Sequence, residues 1–192
     1  GYGAAHNQAI MAAHSDFHLI LNPDVILDPD YLRFTIKFMI RNKSAVLAGP
    51  YGMNSETENA YLCKRYPSLL VLLIRGLDQK NVSQWFKKRL AHYEYHDLTD
   101  SKVSKVELIS GSCMFARTSS LQLAGGFDTN FFLYFEDFDL SLRMRQLGSV
   151  AFIPNAKITH FGGNSAQKGL LHILFFIRSA GRFFNKHGWK LV

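Results

Sequence analysis

Three carboxylates follow an aromatic run directly, and among the side chains of this sequence they are the best suited to acid–base chemistry. Glu136, Asp137 and Asp139 come after the aromatic-rich segment 131–135 and open a predicted helix. The helix dipole favours acids in a first turn, so capping alone would explain them. A carboxylate that faces an enclosed pocket could instead remove a proton from a substrate hydroxyl. The residue types leave both roles open.

Spacing within this helix divides the three acids into two groups. Arg143 lies four residues after Asp139, so the two side chains share a helix face and are predicted to form a structural ion pair. Glu136 and Asp137 are predicted to face whatever the aromatic residues enclose. Gly148 is typical of a residue that follows a helix end. We therefore expect Asp139 to be structural, and Glu136 and Asp137 to be available for chemistry.

Strands and helices alternate along the rest of the chain, as in α/β folds with crossover connections. Asp28 and Pro29 are predicted to cap and open the second helix. The predicted strands are 17–21, 45–49, 106–109, 113–116, 150–153 and 157–160. The predicted helices are 4–13, the segment after Pro29, 119–124, the acidic helix and 169–186, with 67–96 leaning toward helix.

Composition is that of one compact domain. The chain has 192 residues, of which 47% are hydrophobic, and a net charge of +7. Its basic residues are dispersed, so we recognise no DNA-binding module and expect no nucleic-acid partner. Cys63 and Cys113 have neither metal-ligand nor disulfide spacing, which suits a reducing compartment. With no signal peptide and no apolar run of about 20 residues recognised, we expect a cytoplasmic location.

Short motifs occur in a fixed order along nearly the whole chain. They are Gly3-x-Ala5-x-Asn7, Leu21-Asn22-Pro23-Asp24, Ser110-Gly111-Ser112, Gly125-Gly126-Phe127-Asp128, Glu136-Asp137-x-Asp139-Leu140, Pro154-x-Ala156 and His160-x-Gly162-Gly163-x-Ser165. This ordered set resembles the inverting GT-A-fold glycosyltransferases of the family 2 type, and most closely their rhamnosyltransferase-like branch. Residues 55–105 are the least diagnostic part.

The resemblance implies an α/β fold with a GT-A-like, Rossmann-like mixed sheet flanked by helices. The whole chain, 1–192, would be a single glycosyltransferase domain. Its parts would be a nucleotide- and metal-binding part at 1–54, an acceptor and catalytic part at 105–166, and a C-terminal amphipathic helix at 167–192. In the family, further strands and a base-binding acid precede the first motif. We therefore expect an N-terminally truncated chain that lacks the first strands of the nucleotide-binding half.

A divalent metal, Mg²⁺ or Mn²⁺, is also implied by the resemblance, with Asp24 and His160 as its ligands. Asp24 follows a buried strand, where ligands of open α/β sheets bind, and its oxygens suit hard cations. Asn22 replaces the first acid of the family's Asp-x-Asp pattern, although its carbonyl can still contact a ligand. A simple Asn-Pro-Asp turn and a structural His160 are the alternatives.

Glycine-containing motifs supply the other candidates for donor binding. Gly3 and Asn7 open the first helix, whose end favours anions, and Gly111 interrupts two strand-like runs, where a backbone can approach substrate closely. An ordinary turn at Gly3 and a strand bend at Gly111 are the alternatives. The predicted nucleotide-sugar site comprises Gly3, Asn7, Asn22, Asp24, Gly111 and Ser112.

The C-terminal helix carries basic residues at intervals of four. Arg178, Arg182 and Lys186 lie beside Leu, Ile and Phe residues, a pattern that could rest on an anionic membrane surface. Peripheral binding to the inner face of the plasma membrane is therefore an alternative location. The other interpretation is a helix that packs on the sheet with its charges in water.

Together these features imply a metal-dependent inverting glycosyltransferase of cell-surface polysaccharide or lipopolysaccharide synthesis. By resemblance, Asp137 would take the proton of an acceptor hydroxyl, and Glu136 would orient the acceptor or tune Asp137. The donor would be a nucleotide-sugar, with dTDP-rhamnose suggested by the branch, and the acceptor a saccharide or a polyprenyl-diphosphate-linked sugar. A noncatalytic carbohydrate- or partner-binding remnant and a nucleotidyltransferase are the alternatives.

Overall fold

A mixed β-sheet runs through the centre of the computed structural model, which describes residues 1–54, 58–76, 83–162 and 169–192. The strands are β1 (Phe17–Leu21), β2 (Val25–Leu27), β3 (Ala45–Met53), β4 (Cys63–Lys64), β5 (Ser104–Lys105), β6 (Leu108–Ile109), β7 (Cys113–Arg117) and β8 (Ser149–His160). The helices are α1 (Tyr2–Ala12), α2 (Tyr31–Arg41), α3 (Leu69–Arg75), α4 (Gln84–Tyr93), α5 (Thr118–Leu123), α6 (Glu136–Arg145) and α7 (Gly169–His187).

The six-stranded sheet has the order β1-β7-β3-β8-β2, and β5 also pairs with β8. β3 and β8 are parallel, whereas β7 runs antiparallel to both β1 and β3. β1 and β3 therefore run in the same direction with β7 between them, and α2 lies on the connection that joins them. β4 and β6 form a separate two-stranded sheet. The predicted mixed sheet flanked by helices is confirmed.

Helices cover both faces of the sheet, because alternate side chains of each strand point to opposite sides. On β7, Met114 belongs to the cluster that contains Ile10 of α1 and Leu140 of α6. Phe115 belongs to the opposite cluster, which contains Tyr31 of α2. The acidic helix α6 is thus anchored on one face, with its first turn near the start of β7.

A third, aromatic cluster fixes the C-terminal helix. Phe183 and Phe184 of α7 are fully buried against Phe131, Phe135 and the side chains of α3 and α6. The interpretation in which this helix packs on the sheet is therefore wrong, because its apolar partners come from the aromatic run and two neighbouring helices. None of the helices in the described part of the chain is both long and apolar enough to cross a bilayer.

Two local predictions also differ from the structure. Asp28 does not cap α2, because its side chain accepts the Asp30 N–H at 3.0 Å and forms a turn just before the helix. Asp30 is the N-cap, and the helix begins at Tyr31, after Pro29. The predicted strands 150–153 and 157–160 are one strand, β8, with a register shift against β3 between Pro50 and Tyr51.

Candidate active site

The chain enters α6 through two residues in the left-handed backbone region. Tyr134 has φ 68° and Phe135, the N-cap of α6, has φ 64°. Such a conformation costs a non-glycine residue on the order of 1–3 kcal/mol, so the surrounding packing must hold it. Phe135 is buried, with its ring centroid 5.3 Å from that of Phe183. The aromatic cluster therefore fixes the turn that directs Glu136 and Asp137.

Backbone amides hold both carboxylate oxygens of Asp137. Oδ2 accepts the Gly111 N–H at 2.8 Å, and Oδ1 accepts the Phe138 N–H at 2.8 Å. A Cβ atom at position 111 would lie 3.2 Å from the Asp137 Cβ, so a glycine there lets the amide approach. The close approach expected at Gly111 is thus made to Asp137, and its contact with a donor stays a prediction.

Glu136 is the neighbouring carboxyl group and is only 7% exposed. Its Oε2 atom has no hydrogen-bond partner in the described part of the chain. Burial, followed by the charge of Asp137, raises the pKa of Glu136 to about 8. Burial also raises the pKa of Asp137, but its backbone donors oppose that shift. Because those N–H groups stabilise a carboxylate, we expect Asp137 to be the ionised member of the pair and Glu136 to hold a proton.

Asp139 has a structural environment, as its spacing predicts. Its side chain is fully buried, and Oδ2 accepts a hydrogen bond from Arg143 Nε at 2.8 Å, which confirms the expected pair. Oδ1 lies 2.7 Å from Lys186 Nζ and 2.8 Å from His187 Nε2. These two partners lie in the last turn of α7, 47 and 48 residues from Asp139, so spacing along the chain does not reveal them. Asp139 therefore ties α6 to α7 and is not free to act as a base.

Asp24 and His160 come together where β2 pairs with β8. Val25 pairs with His160 in the β2–β8 ladder, and Asp24 Oδ2 lies 3.5 Å from His160 Nε2. Asp24 Oδ1 is buried and has no hydrogen-bond partner among the described residues. A Cβ at Gly162 would lie 2.2 Å from Asp24 Oδ2, so a larger residue there would displace this carboxylate oxygen. Gly163 and Ser165 of this motif lie outside the described residues.

These groups suit a divalent cation that shares its coordination with another ligand. A carboxylate oxygen and an imidazole nitrogen are both common metal donors. No cluster of three or more His, Cys, Asp or Glu side chains that could hold a metal occurs within residues 1–54, 58–76, 83–162 and 169–192. Two protein ligands fit a metal whose other ligands come from a bound diphosphate and water. Metal binding by this pair stays a prediction.

The Asn-Pro-Asp turn lies next to the Ser110-Gly111-Ser112 segment. The Asn22 N–H donates to the Ser112 carbonyl at 2.9 Å, which joins the end of β1 to the start of β7. Because Gly111 also contacts Asp137, the structure gathers Asn22, Asp24, Gly111, Ser112 and the two acids at one edge of the sheet. That edge is the carboxyl end of β1, where α/β proteins bind ligands.

Gly3 and Asn7 of α1 both contact Phe127. The Asn7 side chain donates to the Phe127 carbonyl and accepts the Phe127 N–H, both at 2.8 Å. A Cβ at Gly3 would lie 2.7 Å from the Phe127 Cβ. Both residues therefore hold α1 against the Gly126-Phe127 turn, which places α1 beside the acids. A direct contact with a nucleotide-sugar stays a prediction for them.

Tyr2 is a site residue that the sequence analysis missed. Its hydroxyl donates to the Gly111 carbonyl at 2.8 Å. Burial, followed by the charges of Asp137, Glu136 and, more weakly, Asp24, raises the pKa of Tyr2. The pKa of Tyr2 therefore depends on the charges of both the acid pair and Asp24. Nothing local in the sequence marks Tyr2, since its partner is 109 residues away.

The basic residues of α7 do not form one solvent-facing row. Lys186 contacts Asp128 at 2.7 Å as well as Asp139, and Arg182 donates to the Asn130 carbonyl. Arg178 is exposed and makes no ion pair within the described residues. The outer face of the first half of α7 is apolar instead. Its exposed apolar side chains are Leu170, Leu171, Ile173, Leu174 and Ile177.

Comparison with known sequences agrees with the resemblance. The L-rhamnosyltransferase of Mycobacterium tuberculosis (strain CDC 1551 / Oshkosh) that is named for N-acetylglucosaminyl-diphospho-decaprenol is 28% identical over 182 residues. That alignment covers 88% of this chain and 58% of the relative. The rhamnosyltransferase WbbL of Escherichia coli (strain K12) is 27% identical over 172 residues, which cover 83% of this chain and 61% of the relative. The chain thus spans about three fifths of the curated relatives it matches.

A solved structure shares the fold of this chain. The crystal structure of GalNAc-T7 with UDP, GalNAc and Mn²⁺ aligns with a TM-score of 0.61 and 12% sequence identity, over 94% of this chain and 34% of that chain. This likeness confirms the GT-A-like fold. The family model described as glycosyltransferase like family 2 matches residues 1–172. Since that match covers most of its length, the chain belongs to glycosyltransferase like family 2.

Proposed function

We propose that the intact protein is a metal-dependent inverting glycosyltransferase that moves a sugar from a nucleotide-sugar to a saccharide or lipid-linked acceptor. The observation that carries the proposal is the position of Asp137. Its carboxylate is fixed by the Gly111 and Phe138 amides, at the same sheet edge as the Asp24 turn. A fixed carboxylate beside a donor site is what general-base catalysis of glycosyl transfer requires.

In the reaction, an acceptor hydroxyl attacks the anomeric carbon of the donor from the side opposite the nucleoside diphosphate. The new C–O bond forms as the bond to the diphosphate breaks, which inverts the anomeric configuration. Asp137 accepts the hydroxyl proton, using lone pairs that its two backbone hydrogen bonds leave free. Glu136, held protonated by burial, can donate a hydrogen bond that orients the acceptor.

Asp24 and His160 would hold a Mg²⁺ or Mn²⁺ ion, and this assignment is supported by the buried Oδ1 of Asp24, which has no partner among the described residues. The metal would neutralise the charge that develops on the departing nucleoside diphosphate. The Asn22 carbonyl is a further donor in the same turn. The GalNAc-T7 structure, which shares the fold, contains UDP and Mn²⁺.

The names of the two relatives support a narrower substrate class. Both are rhamnosyltransferases, and the mycobacterial protein is named for an N-acetylglucosaminyl-diphospho-decaprenol acceptor. We accordingly assign rhamnose from dTDP-rhamnose as the transferred sugar and a polyprenyl-diphosphate-linked sugar as the acceptor. This assignment places the reaction in cell-surface polysaccharide synthesis.

The product formed tests this function against its alternatives. The full-length protein is incubated with dTDP-rhamnose, Mn²⁺ and N-acetylglucosaminyl-diphospho-polyprenol. We expect release of nucleoside diphosphate together with an acceptor that is longer by one sugar. In a parallel incubation with a nucleoside triphosphate and a sugar 1-phosphate, release of pyrophosphate would indicate a nucleotidyltransferase. Saturable binding of sugar or lipid without any turnover, across a panel of nucleotide-sugars, would indicate a noncatalytic remnant.

Donor binding is expected to depend on divalent metal. Asp24→Asn should weaken donor affinity by tenfold or more, about 1.4 kcal/mol per decade, because it removes the charge nearest the metal and diphosphate. His160→Ala should weaken Mn²⁺ binding without unfolding the domain. Calorimetric titration with Mn²⁺ and donor measures both effects, and His14→Ala, at an exposed position, is the matched control. Equal donor affinity with Mn²⁺ and with chelator would contradict the metal assignment.

A lipid-linked acceptor requires the protein to reach a membrane, and the outer face of α7 is the surface best suited to this. Leu170, Leu174 and Ile177 are 80%, 62% and 61% exposed on that face, and Arg178 borders them. Apolar side chains can enter the acyl boundary while a cation contacts anionic headgroups. The aromatic cluster joins this helix to the start of α6, so membrane contact would bring the acceptor near the acid pair.

Vesicle sedimentation distinguishes the apolar and cationic parts of this surface. Leu174→Asn should weaken binding to both neutral and anionic vesicles. Arg178→Glu should weaken binding to anionic vesicles alone, and added salt should mimic its effect. Lys37→Glu, an exposed charge reversal on α2, should leave binding unchanged. If the parent protein binds neither vesicle, membrane contact through α7 is excluded.

A further inference from the structure

Both backbone polar groups of Gly111 are occupied by side chains of the site. Its N–H donates to Asp137 Oδ2 at 2.8 Å, and its carbonyl accepts the Tyr2 hydroxyl at 2.8 Å. Glycine has more backbone freedom than any other residue, so an amide that it carries is oriented only when its neighbours fix it. The Tyr2 hydrogen bond supplies that restraint from the α1 side.

The three residues are in close contact. A Cβ at Gly111 would lie 3.2 Å from the Asp137 Cβ and 3.6 Å from the Tyr2 hydroxyl. The Tyr2 ring is itself held by an edge contact with Phe127, at 5.6 Å between centroids, and by His6 at 4.5 Å. Tyr2 therefore presents its hydroxyl from a packed position, and a shift of that ring would be transmitted through Gly111 to Asp137.

Electrostatics keep the Tyr2 hydroxyl a donor. Its burial, and after it the charges of Asp137 and Glu136, raise the pKa of the phenol, so the O–H group keeps its proton at physiological pH. A hydrogen bond from Tyr2 to a backbone carbonyl is therefore available over the working range of the protein. The phenol does not titrate in competition with the two acids.

We propose that Tyr2 is a positioning residue for the Asp137 base and acts through Gly111. This inference rests on the proposed glycosyl transfer. Tyr2 holds the Gly111 carbonyl, which keeps the Gly111 N–H directed at Asp137 Oδ2 and stabilises the ionised carboxylate. In this arrangement the hydroxyl touches neither donor nor acceptor.

Tyr2→Phe in the full-length protein removes the hydroxyl and keeps the ring. We expect kcat to fall by roughly tenfold, the size expected when one hydrogen bond is lost, while KM for the donor stays the same. The weaker Gly111 contact should also raise the pKa of Asp137, because that N–H bond favours the charged form. The acid limb of the kcat/KM profile should therefore move to higher pH. Glu136, Arg75 and Tyr93 also interact with Asp137 in the part of the chain that the structure describes, and the variant leaves all three unchanged.

Tyr66→Phe is the matched control, since its hydroxyl also donates to a backbone carbonyl, that of Gly188 beyond α7. It should leave kcat and the acid limb unchanged. Gly111→Ala is a second variant that disturbs the contact between Gly111 and Asp137, because the added Cβ would lie 3.2 Å from the Asp137 Cβ. It should move the acid limb in the same direction as Tyr2→Phe. Melting temperatures confirm that each variant is folded.

Titration of the Asp137 carboxyl by NMR separates this inference from the proposed function, because it needs no turnover. In Tyr2→Phe the Asp137 midpoint should rise, and in Tyr66→Phe it should not. If the parent protein transfers no sugar but this midpoint rises, the proposed function fails while the positioning contact stands. An unchanged midpoint in folded Tyr2→Phe, or the same shift in Tyr66→Phe, would overturn the role of Tyr2.

Discussion

Asp137→Asn in the full-length protein is expected to lower the rate of sugar transfer by about 10²–10⁴, the contribution of a general base. Asparagine keeps the shape of the side chain and one acceptor oxygen, but it cannot take the acceptor proton. The fold and donor affinity should be retained, because the proposed donor site is on the Asp24 side. Transfer rate, donor affinity and melting temperature measured on the same preparation check this prediction.

Glu136→Gln is the matched comparison. Burial already keeps Glu136 protonated near neutral pH, so a neutral amide resembles its resting state. We expect a smaller loss of transfer than in Asp137→Asn. We also expect Glu136→Gln to become more stable relative to the parent as the pH rises from the ordinary Glu range to about 8, because over that range the unfolded parent releases the Glu136 proton while the folded parent keeps it. A near-parent rate in Asp137→Asn, combined with an inactive but folded Glu136→Gln, would show that Glu136 rather than Asp137 is the general base.

Asp139→Asn is expected to lower the free energy of unfolding by about 3 kcal/mol, as when one member of a buried ion pair is removed. Helix spacing alone suggests an exposed pair with Arg143 worth at most about 1 kcal/mol. The structure corrects that expectation, because Asp139 is fully buried and also contacts Lys186 and His187. The expected loss of stability is at the lower end of the range for buried ion pairs, because Arg143 and Lys186 are partly exposed to solvent.

Urea unfolding of Asp139→Asn and Asp30→Asn provides the comparison. Asp30 forms an exposed ion pair with Arg33 on α2, so its loss should change the unfolding free energy by about 0.5 kcal/mol or less. Residual transfer by folded Asp139→Asn should stay well above that of Asp137→Asn. An Asp139→Asn protein with parent stability and no transfer would show that Asp139, rather than Asp137, carries the chemistry.

The sequence determined the features that depend on neighbours along the chain. Apolar runs located β1, β3 and β7, because a strand covered by helices carries mostly apolar side chains. The four-residue spacing of Asp139 and Arg143 predicted their pair, since helix geometry places such side chains together wherever the helix packs. The same argument separated Asp139 from the two acids that precede it.

Only the tertiary structure decided which distant groups complete the site. Tyr2 and Gly111 are 109 residues apart, and His187 and Asp139 are 48 apart, so no local periodicity relates them. Their contacts depend on how α1, α6 and α7 pack around the sheet and the aromatic cluster. The same packing brings Lys186 into an ion pair with Asp139 and Asn7 into hydrogen bonds with Phe127. Chain spacing constrains side chains within about one or two helical turns, and beyond that distance packing of the core decides which groups meet.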